Sequence, residues 1–586
     1  MALLTRLTDL PGHPAQSSYD LVVVGAGGAG LSAALHAAID GAKVLVVERT
    51  EFVGGTTALS AGTTWIPCTP HSAPGTDSPD QARTYLDAVV GGHAPAELRQ
   101  AFIDAGAAAL ERFEQHTEMR YRPYALHPDY ESDQPGATLR GRALEPLPFD
   151  GRRLGALFGV LRPPIPEFTV LGGMMVDRTD INHLLAMGRS LASLRHAVRI
   201  LARHALDRLS HPRGTRLVMG NALVARLLHS LAGRANVSLL LGSEVQAIHR
   251  NDAGAVDGLT LAPAPASPDA AAAPRRVAVR GGVVLASGGI NRQPEWRAAH
   301  LPGVAKSWCP GAPGHTGQAQ QLALGLGARH GQGAASPAFW APVSLRQRAD
   351  GSTAVFPHFV MDRAKPGMIT VNQAGERFVN ESSSYHLFGL AMQRAHARSP
   401  AIPAYLVCDA AALQRYGLGM VRPGGQGLAS YLADGYLTTG ATLAELAGRL
   451  GVHADGLQAS VARHNQAALA GLDADFGRGR TAYQRNLGDA AWPGRNPNLG
   501  PIATAPFYAV RLYPGDIGAA TGLVTDAQAR VLDGGASGAP IPGLYAVGND
   551  AQSIMGGTYP GPGITIGPGM VWAYLATRHA LGRLAG

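Results

Sequence analysis

The N-terminal part of the chain opens on a largely apolar run, Tyr19–Val24 (YDLVVV), that stops at Gly25-Ala26-Gly27-Gly28-Ala29-Gly30. An alanine-rich stretch then continues to Ile39, Gly41 closes it, and a second apolar run, Ala42–Val47, ends at Glu48. Unbroken apolar runs flanking a small-residue helix predict two buried parallel strands joined by a helix, a βαβ unit. Further on, Ser238–Leu241, Val245–Arg250, Leu259–Leu261 and Val277–Leu285 read as short strands, the last ending at Ala286-Ser287-Gly288-Gly289. The stretch from Lys306 to about Ala505 mixes both periodicities. The chain end returns to a strand, Gly543–Val547, followed by Gly548-Asn549-Asp550, a Gly/Pro loop and a closing helix from about Gly567 to Leu584.

Two other segments have distinctive patterns. Residues 263–274 (APAPASPDAAAA) are of low complexity and suit an exposed hairpin tip. Residues 182–216 read as a helix carrying Arg189, Arg195, Arg199, Arg203 and Arg208 among Leu, Ala, Val and Ile, after an apolar stretch beginning at Leu154. That pattern fits a helix packed on its own domain. That is the preferred reading; the alternative is a basic amphipathic helix lying on an anionic membrane surface.

Composition narrows the classes. A chain of 586 residues is long enough for more than one domain. The 46% apolar and 16% charged content is that of a folded protein rather than a disordered one. Cys68, Cys309 and Cys408 form no CxxC pair, which argues against a disulfide framework or a metal cluster and suits a reducing, cytoplasmic setting. No signal peptide is read at the N-terminus, and no run of about twenty apolar residues predicts a membrane span. The net charge of +8 is spread without any nucleic-acid reader motif, so no nucleic-acid partner is expected.

The glycine run gains meaning from its context. GxGxxG follows a strand, opens a helix and precedes an acidic residue eighteen positions after Gly30. In that setting Gly25 permits a tight turn, Gly27 lets a diphosphate approach the backbone, and Gly30 lets helix and strand pack closely. Gly28 and Ala29 place free N–H groups and a partial positive charge at the helix start. Glu48, with Arg49 beside it, is placed to hold a ribose hydroxyl.

Residues 54–65 (GGTTALSAGTTW) distinguish between dinucleotides. They resemble the loop that runs along diphosphate and flavin in the fumarate reductase/succinate dehydrogenase class of flavoproteins. The resemblance implies FAD and points to Gly55, Thr56, Thr57, Ser60, Gly62 and Thr63. No histidine occurs in this stretch, so non-covalent attachment is expected. By the same resemblance Val245 would meet the adenine, and Ser287, Gly288, Gly548, Asn549, Ile564 and Ile566 would line the rest of the cofactor. No second GxGxxG predicts a built-in nicotinamide site.

The segment Met555–Gly567 (MGGTYPGPGITIG) carries no arginine, so a dicarboxylate would lack a bidentate partner and a neutral substrate fits better. Tyr-Pro-Gly-Pro-Gly before Thr-Ile-Gly-Pro resembles the C-terminal motif of 3-ketosteroid Δ1-dehydrogenases. Pro128–Gly136 with Gly141-Arg142, Val371–Tyr385, and Pro506–Gly518 extend the likeness over most of the chain, with the 154–216 stretch as the main departure. Desaturation beside a carbonyl needs donors that polarise the C=O, a base for the α-proton, and a hydride acceptor at the β-carbon. Tyr559 and the Gly563 N–H, four residues apart in a Pro-stiffened loop, suit the first need. The resemblance makes Tyr385 the base and Tyr130 the phenol that stabilises its anion. Tyr121 and Tyr124 compete for the second role, Tyr508 and Tyr513 are further pocket candidates, His386 reads as structural, and Asp516 as a supporting or turn residue.

The expected fold is therefore α/β: a Rossmann-type FAD-binding domain (GR2-like), residues 1–305 and 506–586, with an inserted α+β substrate/catalytic domain, residues 306–505. A hydrophobic steroid-like substrate and an external electron acceptor such as a quinone are the expected partners. A desaturase or ene-reductase of another cyclic ketone, and a non-catalytic flavin- or lipid-binding protein, remain open at this point, as does peripheral membrane contact through 154–216.

Overall fold

The structure, a computed structural model, describes residues 3–11, 16–267, 269–360 and 362–585. Two sheets organise it. The larger has nine strands, running Leu4–Thr5, Val237–Leu240, Val44–Val47, Ser18–Val24, Arg275–Leu285, Val256–Pro263 and Ser243–Arg250, with Pro540–Ala546 and Arg530–Leu532 added beside the central strand. Ser18–Val24 pairs in parallel with both Val44–Val47 and Arg275–Leu285, as a βαβ crossover requires. Val44, Leu45, Val46, Leu21, Val22 and Val23 are fully buried, which explains why both faces of these strands are apolar.

The helix Gly28–Ile39 packs on the closing helix Ile566–Ala585 and on Met219–Ala232. The two chain ends therefore share one core. The strands Val256–Pro263 and Arg275–Leu285 are antiparallel neighbours, so 264–274 connects a hairpin as expected, with Pro268 outside the described residues.

The smaller sheet has six antiparallel strands: Thr353–Pro357, Ala338–Gln347, Phe507–Ala519, Ala404–Asp409 and Met368–Val371 in order, with Leu437–Gly440 also on Phe507–Ala519. The 13-residue Phe507–Ala519 is its centre. By pairing, residues 507–519 share a sheet with strands of the 306–505 stretch. Asp516 is fully buried within this strand, not in a turn, and is held by Arg297 Nη1 at 2.8 Å and Asn291 Nδ2 at 2.9 Å. Helix Tyr385–His396 packs on Ala338–Gln347 and Phe507–Ala519, which brings its first residue toward the junction of the two sheets.

The single helix expected over 182–216 is instead two, Arg178–Leu185 and Leu191–Asp207. The break falls at Gly188-Arg189-Ser190, where the Ser190 hydroxyl accepts the Ser193 N–H and starts a new helix. After Asp207 the chain turns through His211-Pro212 into a short strand at Arg216. No helix among the described residues is long and apolar enough to cross a membrane.

Candidate active site

A long cleft runs along the carboxyl ends of the parallel strands. Gly25, Gly27, Gly28, Ala29, Glu48, Arg49, Gly55, Thr56, Thr57, Ser60, Val245, Ser287, Gly288, Gly548, Asn549 and Ile566 all line it. The glycine geometry explains the residue types. A Cβ on Gly27 would meet nothing within 4 Å, so the backbone there faces open space in the cleft. A Cβ on Gly30 would lie 1.9 Å from the Gly25 carbonyl oxygen, so Gly30 serves helix packing and does not line the cleft. Gly62, Thr63 and Ile564 also stand behind the wall. A Cβ on Gly62 would strike the backbone of Met219-Gly220, the Thr63 hydroxyl shares a hydrogen bond with Tyr124 at 3.0 Å, and Ile564 is buried.

Glu48 is buried at the end of its strand. Its carboxylate accepts the Ala26 N–H at 2.9 Å and the Thr50 N–H at 2.8 Å, which fixes it against the glycine loop. Asp550 is wholly buried and fastens the far wall, accepting from the Ser287 N–H, from the Ser287 hydroxyl at 3.0 Å and from the Gly289 N–H at 3.1 Å.

Several cleft residues carry no local sequence signal. Thr50, Arg162, His315, Thr316, Gln318, Ile517 and Thr565 reach it from scattered places. His315 touches the Thr56 hydroxyl at 3.1 Å, and burial pushes its imidazole down to about 3, so it is neutral. The open backbone at Gly27 and the buried Glu48 carboxylate fit FAD: Gly27-Gly28 would hold its diphosphate and Glu48 a ribose hydroxyl, and Asn549, Thr565 and Ile566 line the same cleft.

Near Thr565 three tyrosines converge from three separate segments. The Tyr130 hydroxyl donates to the Tyr385 oxygen at 3.1 Å. The Tyr559 ring lies 5.1 Å from that of Tyr385 and 5.7 Å from that of Tyr130. All three side chains are at most 7% exposed. Burial pushes the phenols of Tyr130 and Tyr385 well above 10 and that of Tyr559 up to about 12, the last held down by the Tyr385 and Thr565 hydroxyls. Thr565 itself lines the cleft, which ties Tyr559 to it.

Local structure fixes each phenol. Tyr385 is the first residue of its helix, capped by the Ser384 hydroxyl, so the helix N-terminus lies beside it and favours negative charge there. Tyr130 is held by its own N–H, which donates to the Pro560 carbonyl at 2.9 Å, and by the neighbouring Asp129. Asp129 accepts from the Trp65 indole N–H and from Arg142 Nη1, both at 2.8 Å, and Arg142 also pairs with Asp77 at 2.6 Å. All these side chains are buried.

Gly563 has φ +94°, and a Cβ there would sit 2.1 Å from the Thr63 carbonyl oxygen, so only glycine fits. Its N–H has no hydrogen-bond partner among the described residues.

The competing tyrosines lie elsewhere. Tyr121 donates to Met570 Sδ at 3.7 Å, Tyr124 to or from Thr63, Tyr508 packs in the core of the smaller sheet, and Tyr513 stacks on Trp308 at 4.9 Å. His386, pushed down to about 4 by burial, accepts the Trp340 N–H at 3.3 Å.

Comparison with known proteins agrees with this architecture. The FAD binding domain family model matches residues 20–566. A 3-oxosteroid 1-dehydrogenase of Mycolicibacterium smegmatis is 36% identical over 95% of this chain and 96% of its own length. The chain belongs to the 3-ketosteroid Δ1-dehydrogenase family of FAD-dependent oxidoreductases. A 4-oxocyclohex-2-ene-1-carboxylate 5-dehydrogenase of Sinomonas cyclohexanicum is also 36% identical, over 97% of this chain and 94% of that protein. Among solved structures, the 3-ketosteroid Δ1-dehydrogenase of Sterolibacterium denitrificans, bound to 1,4-androstadiene-3,17-dione, superposes with a TM-score of 0.89. The two are 34% identical, and the match covers 97% of this chain and all of the other. The protein is thus a FAD-dependent enzyme acting on a CH–CH bond next to a ketone.

Proposed function

We propose that this enzyme introduces the 1,2 double bond of a 3-oxosteroid, with androst-4-ene-3,17-dione and cholest-4-en-3-one as the substrate type. The Tyr130–Tyr385 hydrogen bond beside the Tyr559 ring is the observation that carries this reading. Tyr559 O–H and Gly563 N–H would hold the C3 carbonyl oxygen and draw charge toward it. Each such donor is worth roughly 2.7–4 kcal/mol in water-excluded sites. That polarisation acidifies the C2 proton. Tyr385, as its anion, would take this proton, so a C–H bond breaks and a phenol O–H bond forms. Tyr130, donating to Tyr385, would lower the cost of that anion. FAD, when bound, accepts the hydride from C1 and later yields two electrons to an external acceptor, for which a quinone is the expected type.

A 4-oxocyclohexane carboxylate is the second reading, favoured by the cyclohexene-carboxylate relative. Such a substrate needs a cation for its carboxylate. Arg363, a cation adjoining the tyrosines, is fully buried with its donors on carbonyl oxygens of His358, Phe359, Glu381 and Ser383, which supports the neutral steroid. Anaerobic mixing with androst-4-ene-3,17-dione, cholest-4-en-3-one, cyclohexanone and 4-oxocyclohexanecarboxylate tests the choice. Bleaching of the flavin by the steroids at micromolar concentration is expected, and bleaching by the carboxylate alone would reverse it.

The 171–209 region supports peripheral membrane contact. Among the described residues, eight of the fifteen exposed large apolar side chains lie there, including Leu191 at 85% exposure and Leu209 at 83%. Arg189, Arg195, Arg199 and Arg208 are exposed among them, and the one acidic residue of 182–209, Asp207, is buried. Apolar side chains interleaved with exposed cations suit an anionic lipid surface, which is also where a sterol-derived substrate partitions.

A further inference from the structure

Behind the tyrosine cluster lies a positive charge that none of the roles above uses. The Arg363 side chain is fully buried. Its Nε donates to the His358 carbonyl at 2.9 Å, Nη2 to Phe359 at 2.9 Å, and Nη1 to Glu381 at 2.5 Å and Ser383 at 2.7 Å. Four N–H groups are thus placed on neutral oxygens. No carboxylate forms an ion pair with it among the described residues. The adjoining Asp362 carboxylate is taken by His358 Nδ1 at 2.6 Å and by the Gly419 N–H at 3.0 Å. The Glu381 carboxylate is taken by Arg377 at 2.8 Å and Arg478 at 3.1 Å.

The Tyr483 hydroxyl, close enough to feel the Arg363 charge, is buried with no hydrogen-bond partner among the described residues. The Tyr483 ring lies 4.6 Å from that of Tyr130, and Arg363 favours the anionic forms of both phenols. A buried cation is costly, and the carboxylate that acts on this one, Asp362, accepts its hydrogen bonds from His358 and Gly419 rather than from the guanidinium. Tying down four carbonyls does not by itself call for a charge at this spot. A negative charge that forms during turnover on the Tyr385–Tyr130 pair would supply a further partner.

Resting on the reading of Tyr385 as the base, we propose that Arg363 is a positioning residue whose buried charge makes the tyrosinate accessible near neutral pH, while its Nη1 bonds set the backbone just before Tyr385. The other groups facing the cluster do not replace it. Tyr559 and Tyr130 are phenols pushed up by burial, and His386 and His127 are pushed down to about 4 and are neutral. Glu131, beside Tyr483, has its carboxyl pushed up to about 7 by burial and opposes the anion once ionised.

The test is the pH dependence of flavin bleaching by androst-4-ene-3,17-dione in the FAD-bound enzyme, for parent, Arg363→Met, Arg363→Lys and Glu131→Gln. Arg363→Met should move the midpoint of the rising limb upward by about one unit or more, because the anion loses a nearby cation. Glu131→Gln should move it slightly down. A folded, FAD-retaining Arg363→Met with an unmoved midpoint would overturn the proposal. If that variant does not fold, Arg363→Lys carries the test. It should bleach more slowly with the midpoint within about half a unit of the parent, whereas a displacement beyond about one unit would assign the effect to the guanidinium fork and refute the charge role. A parent enzyme that no steroid bleaches would defeat the functional reading instead, leaving the two failures distinct.

Discussion

Tyr130→Phe isolates one hydrogen bond in this site. The substitution keeps the ring that packs 4.6 Å from Tyr483, 5.5 Å from Tyr385 and 5.7 Å from Tyr559. It removes only the hydroxyl that donates to Tyr385 at 3.1 Å. With both phenols neutral that bond contributes about 1 kcal/mol net, so the melting temperature should move little. With Tyr385 anionic, the bond is to a charge and is worth about 1.5–3 kcal/mol. Loss of that amount corresponds to a rise of about 1 to 2 units in the Tyr385 pKa and roughly a tenfold to hundredfold slower proton abstraction at neutral pH. The sign follows from the acceptor's nature. Tyr385 acts as base only above its pKa, so raising that pKa shifts the rising limb to higher pH, and the deficit shrinks as pH increases. Anaerobic stopped-flow bleaching of the flavin across a pH series reads both effects. Equal rates for parent and variant at neutral pH, or a constant deficit at all pH values, would refute Tyr130 as the stabiliser of the anion.

Other perturbations address other parts of the molecule. Glu48→Ala removes the acceptor of the Ala26 and Thr50 N–H groups and the proposed ribose ligand, so FAD release measured by fluorescence should become at least about tenfold easier. Arg142→Met strands the buried carboxylates of Asp77 and Asp129, and thermal unfolding should report a loss of about 3–5 kcal/mol along with slower bleaching, because Tyr130 follows Asp129. Gly563→Ala forces a Cβ to 2.1 Å from the Thr63 carbonyl, so the loop must move and bleaching should fall by about a hundredfold or more while FAD stays bound. Leu191→Glu with Val198→Glu should abolish co-sedimentation with phosphatidylglycerol vesicles without altering turnover of a water-soluble steroid, and unchanged sedimentation would exclude this face as the contact.

What could be read from the sequence divides along a physical line. Gly25, Gly30 and Gly563 answer to backbone demands that exclude other residues, and such demands leave a mark on a single chain. Glu48 is legible because it ends a strand at fixed spacing from the glycine loop. Tyr559 stands out by its place in a Pro-stiffened loop before Gly563, whereas Tyr130 and Tyr385 are singled out by motif resemblance alone, since nothing local distinguishes them from Tyr124 or Tyr513. Arg162, His315, Thr565 and Arg363 were out of reach because each acts through partners remote in sequence, as when His315 meets Thr56. The broken helix at 186–190 did have a signal in Ser190, which caps the second helix, but the continuous apolar–basic pattern masked it. The central strand Phe507–Ala519 was hidden for the opposite reason. Pro514, Gly515 and Gly518 weaken its strand propensity, and it is the pairing of 513–519 with Ala338–Gln347 and of 507–512 with Ala404–Asp409 that makes it a strand. Local propensity therefore lost where Ala338–Gln347 supplied the hydrogen bonds. The same arrangement carries helix Tyr385–His396 to the junction, so the position of the proposed base depends on a strand that its own sequence does not announce.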